Sequence, residues 1–368
     1  MKRDPKRVVL GMSGGVDSSV AAGLLVEQGY DVIGITIKTY RYEDVGGNVG
    51  NDSTCCSLDG INDARRVCQQ LGIAHYTVDF SETFRKNVID YFIDDYLEGN
   101  TPNPCVRCNR QIKWAEMLRK ADSLGAGFIA TGHYASIAHD EATNRRWIQR
   151  SPDASKDQSY MLWSVREEHL ARTLFPLAGF TKPESRAHGE RLGLPLRPKP
   201  ESYEICFIPD NDYRRFLKDN AAEALEEKAG QGAIMFEGER IGTHEGFPFY
   251  TIGQRKGLGV THSEPLYVLN VLPQENIVEL GTEDKLIHQG LVATDMNLMK
   301  YADLSTPQRF RVKIRYKDEG APAVCWTYEG LLHIRFDEGR KAITPGQSVV
   351  MYEGEDVVGG GIIRNWVD

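Results

Sequence analysis

Several features are scarce or missing in this 368-residue sequence, and their scarcity narrows what the chain is. No apolar run reaches the ~20 residues that a membrane-spanning helix needs. The opening Met1-Lys2-Arg3-Asp4-Pro5 holds no apolar export region, so a cytoplasmic protein is expected. Positive charge is not in excess: 44 Lys and Arg stand against 52 Asp and Glu, a net charge of −8. Such a chain is no indiscriminate binder of polyanions, and any nucleic-acid surface must be local. Cysteine is limited to seven, an odd number that argues against a disulfide framework and for free thiols in a reducing compartment. Internal repeats and low-complexity segments are missing, as is the Gly-x-x-x-x-Gly-Lys-Ser/Thr pattern of the Walker loop.

What is present begins at the first strand-like run, Val8-Val9-Leu10, which leads into Gly11-Met12-Ser13-Gly14-Gly15-Val16-Asp17-Ser18 and then an apolar helical segment reaching Val26. Strand, small-residue turn, helix is the layout of a phosphate site. Glycines let the backbone approach an anion, and the first helical N–H groups have no intrahelical partner and can bind it. Ser13 and Ser18 add hydroxyl donors. A carboxylate in such a loop repels phosphate unless a cation bridges the two, so Asp17 points to Mg²⁺. The loop resembles the Ser-Gly-Gly-x-Asp-Ser pyrophosphate loop of ATP pyrophosphatases, enzymes that adenylate a carbonyl oxygen, release pyrophosphate and let a nucleophile displace AMP. The plain alternative is a Gly-rich strand–helix turn with no ligand.

Hydrophobic content of 41% and charged content of 26% describe an ordinary globular chain, long enough for two or three domains. Residues 1–208 alternate between strands and helices. Strands are expected at Val32–Ile37, Tyr76–Phe80 and Phe128–Gly132, and helices at Ala64–Leu71, Phe84–Leu97 and Ile112–Leu124. That alternation predicts an α/β, doubly wound parallel sheet, with a ligand beyond the carboxyl ends of the strands where Gly11, Ile37 and Gly132 converge. A central domain is expected over 209–285, with a helical stretch from Tyr213 to Lys228 and strands at Gly232–Met235, Phe247–Ile252 and Leu266–Leu272. Residues 286–368 read as short strands and turns, hence a C-terminal β-barrel.

Cys105 and Cys108 lie in Thr101-Pro102-Asn103-Pro104-Cys105-Val106-Arg107-Cys108-Asn109, where two prolines predict a loop. Arg107, Arg110, Lys113 and a helix starting near Asn109 would favour thiolate. A zinc site wants a second ligand pair at short spacing, which neither Cys55-Cys56 nor Cys206 supplies. Cys206 sits between Ile205 and Phe207. By residue type alone it reads as a core cysteine, as do Cys68 and Cys325.

At this point the chain resembles the bacterial tRNA-specific 2-thiouridylase family throughout its length. The matching motifs are Gly11–Ser18, Thr101–Pro104 with Cys108-Asn109, Ala130–Tyr134, Lys156–Tyr160, Ile205–Ile208, Thr251–Gly257 and Thr344–Ser348. The resemblance implies an adenine nucleotide α-hydrolase-like ATP pyrophosphatase domain, a small central domain and a β-barrel. It implies Cys108 as nucleophile and Cys206 as persulfide carrier. ATP contacts carry over to Gly11, Met12, Ser13, Gly14, Gly15, Val16, Asp17, Ser18, Ile37 and Gly132. Contacts to tRNA carry over to Asn103, Pro104, Cys105, His133, Lys156, Asp157, Gln158, Arg315, Tyr316 and Gln347. The implied partners are a tRNA with a wobble uridine and a protein donating persulfide sulfur. Many members have Asp where this chain has Cys105. Three thiols, Cys105, Cys108 and Cys206, open a second route through a [4Fe–4S] cluster.

One feature stands without the family. Arg309, Arg311, Lys313, Arg315 and Lys317 alternate with Phe310, Val312, Ile314 and Tyr316. On a strand, five cations would share one face and track phosphates, unless that face is merely solvated. Arg255-Lys256, Arg197 and Lys199 would extend the surface. The rival functions are another adenylating ligase of the pyrophosphatase type and a non-catalytic zinc-knuckle RNA-binding protein.

Overall fold

A computed structural model describes residues 3–41, 58–196 and 205–368. Cys55, Cys56, Arg197 and Lys199 lie outside the described residues. The chain divides into two units. The first holds residues up to Ile89 together with Cys105–Asp212 and Glu355–Val357. The second holds Asp90–Pro104, Tyr213–Gly354 and Val358–Asp368.

The first unit is built on strands β1 (Asp4–Gly11), β2 (Asp31–Lys38), β3 (Ala74–Asp79) and β4 (Ala126–Ala130), a hairpin of β5 (Ser136–Asp140) and β6 (Arg145–Gln149), and the short β7 (Thr173–Leu174). The sheet order is β3-β2-β1-β4-β7, all parallel. A parallel sheet is covered on its faces, and β1 shows it: Val8, Val9 and Leu10 are fully buried. Each such side chain stabilises the fold by about 1.5–3 kcal/mol relative to exposure. The helix Val16–Glu27 is apolar on several sides because it buries Val20, Ala21, Leu24 and Leu25 against Val8, Leu10, Val32 and Val67. Gly11 pairs with Ile35 and Leu10 with Ala130, so the chain leaves β1, β2 and β4 at one edge of the sheet. Gly11, Ile37 and Gly132 therefore share that edge.

Local expectations hold in kind and shift in extent. The helix expected from Ala64 begins at Leu58 and ends at Gln70, with Gly72 in the left-handed region at φ +69°. The loop expected through Cys105–Cys108 is a correction: Pro104–Cys108 is helical and continues as widened turns over Asn109–Glu116 into Met117–Ser123. Proline suits a first helical position, where its missing N–H has no partner to lose.

In the second unit the helices Asp90–Leu97 and Tyr213–Asn220 join through aromatic contacts, Phe92 against Phe216 edge-on at 6.0 Å and Tyr96 stacked on Tyr213 at 5.1 Å. The expected stretch from Tyr213 to Lys228 is two helices, broken at Ala221 where φ is −143°. Strands β8 (Gly232–Phe236), β9 (Glu239–His244), β10 (Tyr267–Leu272) and β11 (Ile277–Gly281) form a sheet of order β10-β11-β8-β9. Phe247–Ile252 is not a strand: Phe247–Phe249 is a 3₁₀ turn that buries both phenylalanines around Pro248. Then β12 (Ile287–Leu298), β13 (Gln308–Lys313), β14 (Ala321–Tyr328), β15 (Leu331–Lys341), β16 (Ser348–Glu353) and β17 (Asp356–Val367) close into a barrel, β12 pairing with β15 on one side and β17 on the other. Its core is Leu291, Phe310, Val312, Ile334, Phe336 and Met351.

Candidate active site

The loop after β1 is shaped by its own hydroxyls. Ser13 N–H donates to Ser18 Oγ at 3.2 Å, Gly15 N–H to Ser13 Oγ at 3.4 Å, and the Ser18 and Ser19 hydroxyls donate to Gly15 O at 3.1 and 2.8 Å. Gly14 sits at φ +72°, and a Cβ there would lie 2.1 Å from the carbonyl oxygen of Gly60. Only glycine fits that corner. Gly132 is needed for a second reason: a Cβ on it would come within 2.9 Å of the backbone of Asp17 and Ser18. The end of β4 therefore touches the start of the helix Val16–Glu27. The sequence places Ser13, Gly14, Gly15, Val16, Asp17, Ser18 and Gly132 together, and the fold brings them together. Met12 is buried, its N–H donating to Ile35 O at 2.8 Å and its carbonyl accepting from the Thr36 hydroxyl at 2.8 Å. It shapes the loop from beneath.

Asp17 lies in the first helical turn and is held from two sides. Lys182 Nζ is 2.6 and 2.8 Å from its two carboxylate oxygens, and the Tyr134 hydroxyl donates to Oδ1 at 2.8 Å. Burial, and then the neighbouring Asp17 carboxylate, push the Tyr134 phenol well above its ordinary pKa, so it stays a donor. Sequence reading missed both partners. Lys182 had a signal: Thr181-Lys182-Pro183-Glu184 is a helix start, and a lysine there opposes the helix dipole unless an anion faces it.

His133 follows Gly132 and accepts from or donates to the Thr131 hydroxyl through Nδ1 at 2.7 Å, with Trp114 and Phe175 around it. Burial foremost, and repulsion from Lys113, hold its pKa well below the ordinary 6.5. Its imidazole is neutral at physiological pH. Asp157 is buried and bonds inward, to Arg150 Nε at 3.0 Å and to the Ser159 N–H at 3.1 Å. Gln158 accepts from the Tyr134 N–H at 3.1 Å. Both hold the segment that carries the half-buried Lys156 beside the end of β4.

The cysteines separate by environment. Burial pushes the Cys68 thiol up to about 11 and the Cys325 thiol up to about 12, so both are inert. Cys105 is exposed, Cys108 and Cys206 are half-buried, and none of the three is in a disulfide. Cys105 and Cys108 lie in the opening turns of the helix that starts at Pro104; the buried Asn109 beside them anchors it by donating to Met161 O at 2.8 Å. Cys206 sits in the Ile205–Ile208 turn, pinned by Phe207 against Phe84 at 5.8 Å. Among the described residues no group of three or more His, Cys, Asp or Glu side chains is placed to hold a metal ion. Among the described residues Cys105, Cys108 and Cys206 are not gathered into one such donor set, as a [4Fe–4S] cluster would need, and no zinc knuckle is built there.

In the second unit three of the sequence motifs meet. Thr101 N–H donates to Pro345 O at 2.9 Å, Gln347 Nε2 donates to Thr101 O at 2.8 Å and to Pro102 O at 3.3 Å, and Thr101 Oγ1 lies 3.4 Å from Thr251 Oγ1. Gly346, at φ +88°, passes so close that a Cβ would lie 2.9 Å from the Thr101 backbone. The Thr344–Gln347 turn thus clamps the segment leading to Asn103 and Pro104. The five-cation strand is a correction. β13 ends at Lys313, and Arg315, Tyr316 and Lys317 belong to a turn closed by buried Asp318, which accepts from the Ile314 N–H at 3.0 Å and pairs with Arg340 at 2.5 Å. Arg309, Arg311, Arg315 and Lys317 are nonetheless exposed, while Phe310, Val312 and Ile314 are buried. Arg309 is paired with Asp337.

A five-stranded parallel sheet with a hydroxyl-lined glycine loop at its carboxyl edge defines an adenine-nucleotide-binding α/β protein of the pyrophosphatase type. The family descriptions that match are a tRNA methyl transferase HUP domain over residues 6–210, a tRNA methyl transferase PRC-barrel domain over 216–282 and an aminomethyltransferase beta-barrel domain over 288–363. The chain is 48% identical to the tRNA-specific 2-thiouridylase MnmA of Salinibacter ruber, covering 97% of this chain and 94% of that one, and 49% identical to that of Amoebophilus asiaticus over 97% and 95%. It belongs to the tRNA-specific 2-thiouridylase family. A solved U34-tRNA thiolase NcsA from Methanococcus maripaludis with its [4Fe-4S] cluster aligns over 61% of this chain and 70% of its own at 22% identity, with a TM-score of 0.34, too low to bear on the cluster here.

Proposed function

We propose that this chain uses ATP to place sulfur on C2 of the wobble uridine of a tRNA. The observation that carries the reading is the loop Gly11–Ser18, with Gly14 locked against Gly60 and Asp17 in the first turn of the helix, on a chain of this family. A ligase of the same superfamily has no use for Cys108 and Cys206, and among the described residues the zinc-knuckle alternative finds no ligand set.

The loop's N–H groups and the hydroxyls of Ser13 and Ser18 bind the ATP phosphates. The oxygen donors fit Mg²⁺, a hard cation that takes one or two carboxylates plus substrate phosphates, and Asp17 is the carboxylate that would hold it. When bound, the cation offsets the charge of the departing pyrophosphate. The uridine C2 oxygen attacks the α-phosphorus and pyrophosphate leaves. The terminal sulfur of a persulfide on Cys206 attacks C2, and AMP leaves with its oxygen. The Cys108 thiolate attacks Sγ of Cys206 in the resulting C2–S–S–Cys206 species. That step releases 2-thiouridine, forms a Cys108–Cys206 disulfide, and leaves two electrons to be restored by a dithiol reductant. The persulfide is loaded by a donor protein, and the setting is the cytoplasm.

Contacts to tRNA are assigned to His133, Lys156, Cys105, Asn103, Pro104, Arg315 and Tyr316. Asp157, Gln158 and Gln347 support them by holding the neighbouring segments. Mass spectrometry of tRNA nucleosides from cells lacking the protein tests the reading. Loss of 2-thiouridine, restored by the gene, supports it; an unchanged nucleoside profile overturns it.

A further inference from the structure

The carboxylate expected to meet a cation already has one. Lys182 Nζ spans both oxygens of Asp17 at 2.6 and 2.8 Å, and its side chain is only 14% exposed. This lysine is not a wandering surface chain. Its backbone N–H donates to Asp153 Oδ2 at 3.0 Å. Thr181 caps the helix Lys182–Arg191 in a reciprocal arrangement with Glu184, and Pro183 fixes the next turn. The ammonium also lies 5.8 Å from the centre of the Tyr134 ring, whose hydroxyl donates to the same carboxylate. Three groups on separate segments are thus built around one ion pair, within one unit of the fold.

We propose that Lys182 is the resident counter-ion of Asp17 in the nucleotide-free protein, and that it is exchanged when nucleotide and a divalent cation arrive together. The inference rests on the reading of Gly11–Ser18 as a pyrophosphate loop. With Lys182 and Tyr134 in place, Asp17 has little left to offer a metal, and a divalent ion approaching alone meets a positive charge. A nucleotide polyphosphate changes the balance. Its charge draws the ammonium from Asp17 onto phosphate oxygens, the carboxylate is freed for the cation, and the loop then holds two cations against one polyanion. Metal and nucleotide affinities become coupled, each raising the other, and Lys182 is the element that couples them. The exchange also keeps a lone carboxylate from sitting uncompensated, a third exposed, among backbone donors meant for an anion.

The test is binding without tRNA. Mn²⁺ alone is titrated by electron paramagnetic resonance into the protein and into Lys182→Gln, and again with a non-hydrolysable ATP analogue present. The expected result is that Lys182→Gln binds Mn²⁺ alone about 5–150-fold more tightly, the range of ordinary coupling energies, yet binds the analogue more weakly and loses the coupling between the two. Lys182→Arg keeps the weak binding of Mn²⁺ alone. Circular dichroism of each variant confirms that it folds. In an Asp17→Asn background, Lys182→Gln makes no difference to Mn²⁺. Unchanged or weaker binding of Mn²⁺ alone by Lys182→Gln overturns the proposal, as does a difference that persists in Asp17→Asn. A protein that shows the exchange but makes no 2-thiouridine contradicts the proposed function and leaves this inference standing.

Discussion

Replacing Gly14 by alanine isolates the geometry of the pyrophosphate loop. Two penalties act on Gly14→Ala. The first is conformational: φ is +72°, and an L-residue in the left-handed region costs about 1–2 kcal/mol. The second is steric. The new methyl would stand 2.1 Å from Gly60 O, a backbone atom in a helix whose Ala64, Val67 and Cys68 are buried and cannot follow. Loop and helix must part by about 1 Å, and a displacement of that size at a reacting group costs roughly 10²-fold in rate. Gly29 is the control, at φ +79° with nothing within 4 Å of the added methyl. Gly29→Ala therefore carries the conformational cost alone. The assay is tRNA-dependent pyrophosphate release beside the melting temperature of each variant. Gly29→Ala is expected to lower the melting temperature and keep its rate, whereas Gly14→Ala loses more stability and about two orders of magnitude in rate. Equal stability losses, with pyrophosphate release by Gly14→Ala within a few-fold of the parent, would mean that the contact with Gly60 does not shape the loop.

The remaining predictions rest on other parts of the molecule. His133 has a folded pKa below its unfolded value, so it takes up a proton on unfolding between the two; stability is intact above pH ~6.5 and falls below it by up to about 1.4 kcal/mol per pH unit. Melting curves of the parent and His133→Gln from pH 7.5 to 5.5 check this, and parallel curves count against it. Cys108→Ser and Cys206→Ser are each expected to eliminate 2-thiouridine, while Cys68→Ser and Cys325→Ser keep it; nucleoside analysis reads the outcome, and full thiolation by either of the first pair sinks the assignment. Reversing Arg311, Lys313 and Arg315 to Glu is expected to weaken tRNA binding, lowering the log–log salt slope by roughly 0.7–0.9 per lost phosphate contact. An unchanged slope would mean that these side chains are only a solvated face.

Much of the site is local, and local patterns are what a sequence displays. β1, the glycine loop and the helix after it are contiguous, so Gly11–Ser18 could be read without the fold. The parallel sheet followed from strands and helices in alternation, and the shared edge of Gly11, Ile37 and Gly132 followed from the sheet. The failures have physical causes. Pro102 and Pro104, close together, predict a loop, yet proline is also at home at a first helical position. Phe247–Ile252 is apolar enough for a strand, but Pro248 lacks an N–H for a sheet ladder, and the segment buries its rings as a 3₁₀ turn. The basic alternation after Arg309 continues in burial but not in strand geometry, because Asp318 folds the chain back on the Ile314 N–H. Lys182 stayed hidden because it meets Asp17 across 165 residues. The clamp of Gln347 on Thr101 spans 246 and was equally out of reach.

Reconstitution decides whether the protein thiolates the wobble uridine. Purified protein is mixed with ATP, Mg²⁺, unmodified tRNA bearing a wobble uridine, a persulfide donor and a dithiol. Nucleosides are then analysed by mass spectrometry while pyrophosphate and AMP are counted. The proposed function predicts 2-thiouridine at the wobble position, one pyrophosphate and one AMP for each sulfur placed, and no product with Asp17→Ala. Pyrophosphate release that does not require tRNA, or release with tRNA that yields no 2-thiouridine, would contradict it.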